Sequence, residues 1–409
     1  MSALDLFDLS SANSCVSCGL CLPHCPTFQL TGSEVYSPRG RLGAMTALLA
    51  GTVSADGAFD DALSTCLGCR ACEAVCPGLV PYGELYEAAQ AELVARRPTT
   101  GRRVRRVLLG RVLGSRRTIR SFTAAAALVH GSRIERILPR FARRALAGFR
   151  PLHPRRSSWV GRSVEPIGTT RGTVALLSGC VMDAWFGPVH DATVGVLTHA
   201  GYRVVVPERQ TCCGALAAHD GQVREAQKLA KTNVVAFADA DVIVSNSAGC
   251  SAHLKEYSRW APGGEDVQTR TRDITEFVAG LIAEGVLPSM TEHRGDVAVQ
   301  DPCHLRHAQR ILAEPRAILR AAGYRPLDID ADGLCCGAAG IYSVLHSETS
   351  NELGRRKARE IEASGTQLVA SANPGCEMQL RAQLPAGTRV AHPIEIYWEA
   401  LSASGVRSR

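Results

Sequence analysis

Two stretches decide the architecture: HAGYRVVVPERQTCCGA (199–215) and AAGYRPLDIDADGLCCGA (321–338). They match around Gly-Tyr-Arg and again at Cys-Cys-Gly, and the landmarks on either side match too. Upstream lie SGC (178–180) and DPC (301–303); downstream lie SAGC (247–250) and NPGC (373–376). Cys180 to Cys212 and Cys303 to Cys335 both span 31 intervening residues. The chain therefore contains an internal repeat. TVALLSGC, DVIVSNSAGC, DVAVQDPC and QLVASANPGC read as strands that run into a cysteine, and helical stretches such as 221–240 lie between them. Strands alternating with helices indicate parallel α/β units. The C-terminal ends of parallel strands open on one crevice. Cys180, Cys212, Cys213 and Cys250 are thus expected in one pocket, and Cys303, Cys335, Cys336 and Cys376 in another. Cysteines that only pack, or that form disulfides, are the bland alternatives. Three positions repeated in two copies favour a further metal centre in each pocket, with zinc open beside iron–sulfur. His253, three residues after Cys250, aligns with Gln379, and His304 follows Cys303 without a counterpart after Cys180. Both histidines are read as local.

Outward from the repeat, toward the N-terminus, CVSCGLCLPHCP (15–26) and CLGCRACEAVCP (66–77) are both C-x2-C-x2-C-x3-C-P. This run resembles that of bacterial ferredoxins. Three thiolates at i, i+3 and i+6 wrap a tight loop around one face of an iron–sulfur cube, and the proline stops that loop. The resemblance implies that the fourth cysteine reaches the other cluster. Cluster one then takes Cys15, Cys18, Cys21 and Cys76; cluster two takes Cys66, Cys69, Cys72 and Cys25. Structural zinc usually shows two cysteine pairs around a longer loop, so the spacing opposes it. RGRLGAMTALLAG (39–51) reads as a helix between the runs.

Composition bounds the rest. With 409 residues, 45% hydrophobic and 21% charged, the chain suits two or three globular domains and is not disordered. No stretch reads as a membrane span, and the N-terminus lacks the pattern of a signal peptide. A cytoplasmic location is expected, where thiols stay reduced and 16 cysteines point to metal. The net charge is +7, yet residues 96–156 hold eighteen Arg and one acid, Glu135, or +17, which leaves 7 − 17 = −10 elsewhere. Val104, Leu108, Val112 and Ile119 sit among these arginines at loosely helical spacing. The segment reads either as solvated basic helices or as a docking surface for an acidic partner or anionic lipid, in which Arg102, Arg103, Arg105 and Arg106 would take part. Nucleic acid is not expected as a partner, because stacking aromatics are not interleaved with the arginines. The expected organisation is a helical ferredoxin domain (1–95), a basic helical linker (96–170) and two α/β cysteine-rich CCG domains (171–290 and 291–409). No phosphate-binding glycine loop and no base–nucleophile set is present, so no substrate-converting catalytic residue is expected on this chain.

Taken together, CVSCGLCLPHCPTFQL with SPRGR, CLGCRACEAVCP, the two CCG repeats, DPCHLRHAQ, NPGC and HPIEIY resemble the iron–sulfur subunits of glycolate oxidase over nearly the whole chain. The resemblance implies two 4Fe–4S clusters and an electron-transfer role beside FAD-binding subunits that oxidise glycolate to glyoxylate, and D-lactate more slowly. It also implies a membrane acceptor such as a quinone, reached from the cytoplasmic face of the inner membrane. The alternative is a subunit like those of heterodisulfide reductase or anaerobic glycerol-3-phosphate dehydrogenase. The fuller CCG motif of heterodisulfide reductase ends in C-x2-C; here His253 and Gln379 stand at the last position, which puts disulfide reduction in doubt.

Overall fold

The computed structural model describes residues 9–107, 158–329 and 333–405, together with positions 109, 118, 119, 121, 123, 148 and 150. A helical N-terminal region precedes two parallel α/β halves, as the sequence pattern predicts.

In the N-terminal region, the helix Pro38–Leu49 starts where Pro38 fixes the first turn and Ser37 Oγ accepts a hydrogen bond from Gly40 N at 2.9 Å. Asp56 caps Gly57–Ser64 in the same way through Phe59 N. Tyr82–Arg96 completes the layer. Met45, Leu48, Leu63, Leu85 and Leu93 bury their side chains between these helices, and Cys15, Cys66, Cys72 and Cys76 pack against that core. The cysteine loops are therefore carried on a preformed apolar base.

The first half contains β1 (Ser163–Val164), β2 (Gly172–Leu177), β3 (Tyr202–Val205), β4 (Val242–Ser245) and β5 (Thr271–Asp273), in the order β1-β3-β2-β4-β5. The second contains β6 (Gly295–Gln300), β7 (Tyr324–Asp328), β8 (Leu368–Ser371) and β9 (Arg389–Ala391), in the order β7-β6-β8-β9. Only β1 pairs antiparallel among the described residues. Removing β1 leaves identical topologies: β2 and β6 are central, each with the strand of its CCG stretch on one side. The last four residues of β2 and of β6 are buried, as parallel strands covered on both faces require. Helices Gly187–His199, Ile274–Ala283, Ala313–Ala321 and Pro393–Ala403 form one continuous core between the sheets. Asp273 after β5 and His392 after β9 each close a capping box, with Glu276 and Glu395.

At several of its described positions the basic segment pairs within the fold rather than facing outward. Arg102 is buried and pairs with Asp60 at 2.7 Å. Arg105 pairs with Asp220 at 3.2 Å, and Arg106 Nε donates to Gln222 at 3.0 Å. Arg150 is buried, forking onto both Glu377 and Glu395 at 2.6 Å. Part of the +17 block is thus neutralised within the fold. Ile119 is 1% exposed, so it does not belong to an apolar face open to lipid. Leu108 and Val112 lie outside the described residues. Arg103 and Val104 are exposed. No helix among the described residues is long and apolar enough to cross a membrane.

Candidate metal centres

The last cysteine of the first N-terminal run lies among the cysteines of the second. Cys25 closes the first run, yet it lines one cavity with Cys66, Cys69 and Cys72 of the second. Arg41 and Tyr82 complete the wall. The other four sit around the opposite loop. Cys15 and Cys18 act electrostatically on Cys21. The 76–78 turn lies against the chain just before Cys15: a Cβ at Gly78 would come within 2.5 Å of Ser14 O and 3.9 Å of Cys76 Sγ.

The cavity lined by Cys25, Cys66, Cys69 and Cys72 suits a cluster of thiolates around iron. Burial pushes the thiols of Cys69 and Cys72 well up, so they need a cation to ionise. Arg41 stands in the same cavity wall as a cation beside Cys66 and Cys25. It is 1% exposed, held by Ala62 O at 2.6 Å and by the hydroxyls of Thr27 and Thr65 at 3.0 Å. Burial opposes its charge, but the neighbouring Cys66, Tyr82 and Cys25 more than compensate. Gly68 N donates to Cys66 Sγ at 3.4 Å, the amide contact that tunes cluster sulfurs.

In the α/β halves, the strands deliver both quartets to single pockets. Cys180 Sγ lies 3.5 Å from Cys212 Sγ, and Cys213 Sγ 3.2 Å from Cys250 Sγ. Asn233 fixes the Cys-Cys pair by donating to Cys212 O at 3.0 Å, and Tyr257 Oη donates to Cys213 O at 2.6 Å. In the second half Cys335 interacts with Cys303 and Cys336, and Cys336 with Cys376. Asn373 Nδ2 donates to Cys376 Sγ at 3.5 Å. The glycine that ends each CCG is left-handed, at φ +98° for Gly214 and +86° for Gly337. That turn aims the preceding thiols inward, which no Cβ-bearing residue would do without strain.

The pockets are neighbours. The SAGC and NPGC turns face each other, with Ala248 N bonded to Ala372 O at 3.1 Å and Ser247 Oγ to Asn373 Oδ1 at 3.2 Å. The second cysteine run packs on the second CCG pocket: Leu67, Cys69 and Ala71 share an apolar cluster with Cys303, Cys335 and Tyr342. His304 Nε2 is 3.1 Å from Gly68 O, and Tyr342 Oη donates to Thr65 O at 3.2 Å. Toward the first half, Arg70 pairs with Glu73 and with Glu256, both at 2.5 Å.

The 4Fe-4S dicluster domain family matches residues 11–80, and the cysteine-rich domain family CCG matches residues 174–255 and 297–381. A probable glycolate oxidase iron-sulfur subunit of Bacillus subtilis is 33% identical, over 95% of this chain and 93% of its own length. The glycolate oxidase iron-sulfur subunit of Escherichia coli is 30% identical, over 96% and 95%. The chain belongs to the glycolate oxidase iron–sulfur subunit family. Like other members of that family, it is an iron–sulfur protein related to an oxidoreductase subunit. One chain of the fumarate reductase (CoM/CoB) of Methanothermobacter marburgensis is 30% identical over 54% of this chain and 44% of its own, so that likeness is partial.

Sequence reasoning did not single out Arg41, although SPRGR contains it. Its role depends on burial beside Cys25 and Cys66, which come from different loops. His304 was read as local; it joins two cysteine pockets through Gly68, a contact across 236 positions.

Proposed function

We propose that this chain is the electron-transfer subunit of a flavin-dependent 2-hydroxy-acid dehydrogenase complex. It takes electrons from an FAD-binding partner that oxidises glycolate to glyoxylate, and D-lactate as well, and delivers them to a membrane acceptor such as a quinone. Cys15, Cys18, Cys21 and Cys76 hold one 4Fe–4S cluster; Cys66, Cys69, Cys72 and Cys25 hold a second. The CCG quartets hold further iron–sulfur centres. When bound, such clusters supply one-electron carriers whose potentials follow burial and hydrogen bonding at sulfur. The observation that carries the reading is the seam at which Cys69 and Cys303 share an apolar cluster with Leu67 and Tyr342. That seam supports an electron path from the second run to the second CCG pocket. His304 and Tyr342 hold the seam in register through Gly68 O and Thr65 O. The complex sits at the cytoplasmic face of the inner membrane, attached peripherally.

The test is the full chain purified anaerobically with its flavin partner. Glycolate should reduce the flavin and then bleach the visible iron–sulfur absorption. The N-terminal runs should account for about eight irons, two cubes of four. Stoichiometric zinc without iron, or clusters that glycolate and partner leave oxidised, would refute the reading.

A further inference from the structure

The two CCG pockets differ at the position three residues after their last cysteine. His253 lies in the helix Ala248–Leu254, one turn beyond Cys250, and is 2% exposed. Neither ring nitrogen has a hydrogen-bond partner among the described residues. Tyr257 and Trp260 wall the ring at centroid distances of 5.6 and 5.3 Å, with His219 at 6.3 Å. Nε2 faces the CCG turn: a Cβ at Gly214 would lie 3.4 Å from it. The ring is also close enough to Cys212 for each to act on the other's charge. An imidazole carries at least one ring N–H to donate. Native proteins rarely leave such a donor buried and unused. The second half provides the contrast. Gln379 occupies the matching position and spends its amide on Ser350, donating to the carbonyl at 2.8 Å and the hydroxyl at 3.3 Å.

We propose that His253 completes the first CCG pocket as a positioning and tuning residue: its ring N–H donates to a sulfur of the centre held by Cys180, Cys212, Cys213 and Cys250. The proposal rests on the reading that this pocket holds an iron–sulfur centre. Four thiolates already supply one ligand per iron of a cube, so the nitrogen acts on sulfur rather than on iron. A donor at sulfur stabilises the reduced, more negative state and raises the potential. The first centre is therefore more readily reduced than it would be without the histidine, and the second pocket has no equivalent donor from Gln379.

The test uses the full chain, with redox titration followed by electron paramagnetic resonance. The first-pocket signal is the one that Cys213→Ser removes. His253→Phe should lower its midpoint potential, keep the iron content and leave the other signals in place. His253→Gln, which retains an amide donor, should restore part of the shift and serves if the Phe variant does not fold. Pulsed measurements should show weak nitrogen coupling in the native protein that His253→Phe removes. An unchanged midpoint with full iron overturns the role of His253 while leaving the pocket a cluster site. Strong nitrogen coupling overturns the hydrogen bond in favour of ligation. Iron content and signals unaltered by Cys213→Ser overturn the cluster reading itself, and the proposal with it.

Discussion

Arg41 carries its charge in a place where water cannot reach it, and the thiols of Cys25 and Cys66 are the reason it stays there. Arg41→Met would leave the Thr27 and Thr65 hydroxyls and the Ala62 carbonyl short of a donor, at about 1–3 kcal/mol for a buried orphan. It should lose the second cluster as well, seen as iron falling by one cube per chain. Arg41→Lys should rescue little, because an ammonium lacks the guanidinium fork that reaches three partners. The CCG glycines make a second test at this scale. Both are left-handed, so alanine strains either one. At Gly337 the new Cβ would also meet Ser350 O at 2.6 Å, whereas at Gly214 the nearest atoms lie at 3.4 Å. Gly337→Ala should lower the melting temperature clearly more than Gly214→Ala, the latter costing about 1 kcal/mol or more.

At the scale of elements, the two cysteine loops depend on each other. Cys25 begins the helix Pro26–Thr31, whose first turn Pro26 fixes, and this carries its thiol away from Cys15, Cys18 and Cys21 into the cavity of Cys66, Cys69 and Cys72. Cys25→Ser should therefore disturb the cluster of the second run and spare that of the first; Cys76→Ser should do the reverse. Paramagnetic resonance on the singly substituted chains, read against Cys18→Ser and Cys69→Ser, separates the two patterns. If Cys25→Ser and Cys18→Ser abolish the same signal, each run holds its own cluster and the exchange is wrong.

At the scale of the molecule, ion pairs join the N-terminal region to the first α/β half. Arg70, Arg259, Glu256, Glu84 and Glu87 form the network, with His219 on Glu87 at 2.9 Å. Burial opposes ionisation of Glu256, but Arg70 and Arg259 outweigh it and hold its carboxyl down to about 2, from an ordinary 4.5. A depressed carboxylate adds stability that is present above its unfolded value and lost as pH falls through the folded one. Acid should therefore loosen this joint between about pH 4.5 and about 2, and Glu256→Gln should flatten that part of the stability profile. Chemical denaturation at a series of pH values reads it. The basic segment gives a second prediction. Arg102 is committed to Asp60, while Arg103 is exposed. Arg103→Gln should weaken binding to anionic vesicles by about fivefold, the effect of about 1 kcal/mol per cation, while Arg102→Gln should lower stability. Equal loss of vesicle binding in both would assign the attraction to the segment as a whole.

The two cysteine runs, the repeat, the parallel strands and the pocket membership of the CCG cysteines were legible in the residues alone. These follow from local spacing: C-x2-C-x2-C leaves few loop geometries, and a strand ending at a cysteine in a parallel sheet has only one edge at which to place it. Apolar runs such as VALL and VAV read correctly as strands, which the parallel sheets then bury. What the tertiary structure decided is how those local units meet. Arg102, Arg105 and Arg150 looked like one repelling block because their partners, Asp60, Asp220, Glu377 and Glu395, are far away in the chain. His253 and Gln379 are equivalent in the alignment of the repeat. Only packing separates them: Ser350 satisfies the amide, and nothing among the described residues satisfies the imidazole. The contact of Cys69 with the Cys303 pocket likewise has no trace in spacing, because it depends on Gly68 and His304, and on Thr65 and Tyr342, closing a distance that the chain leaves open. Short-range order is set by backbone sterics and periodicity, which a sequence displays; long-range pairing is set by which charges and cavities remain once the elements have packed.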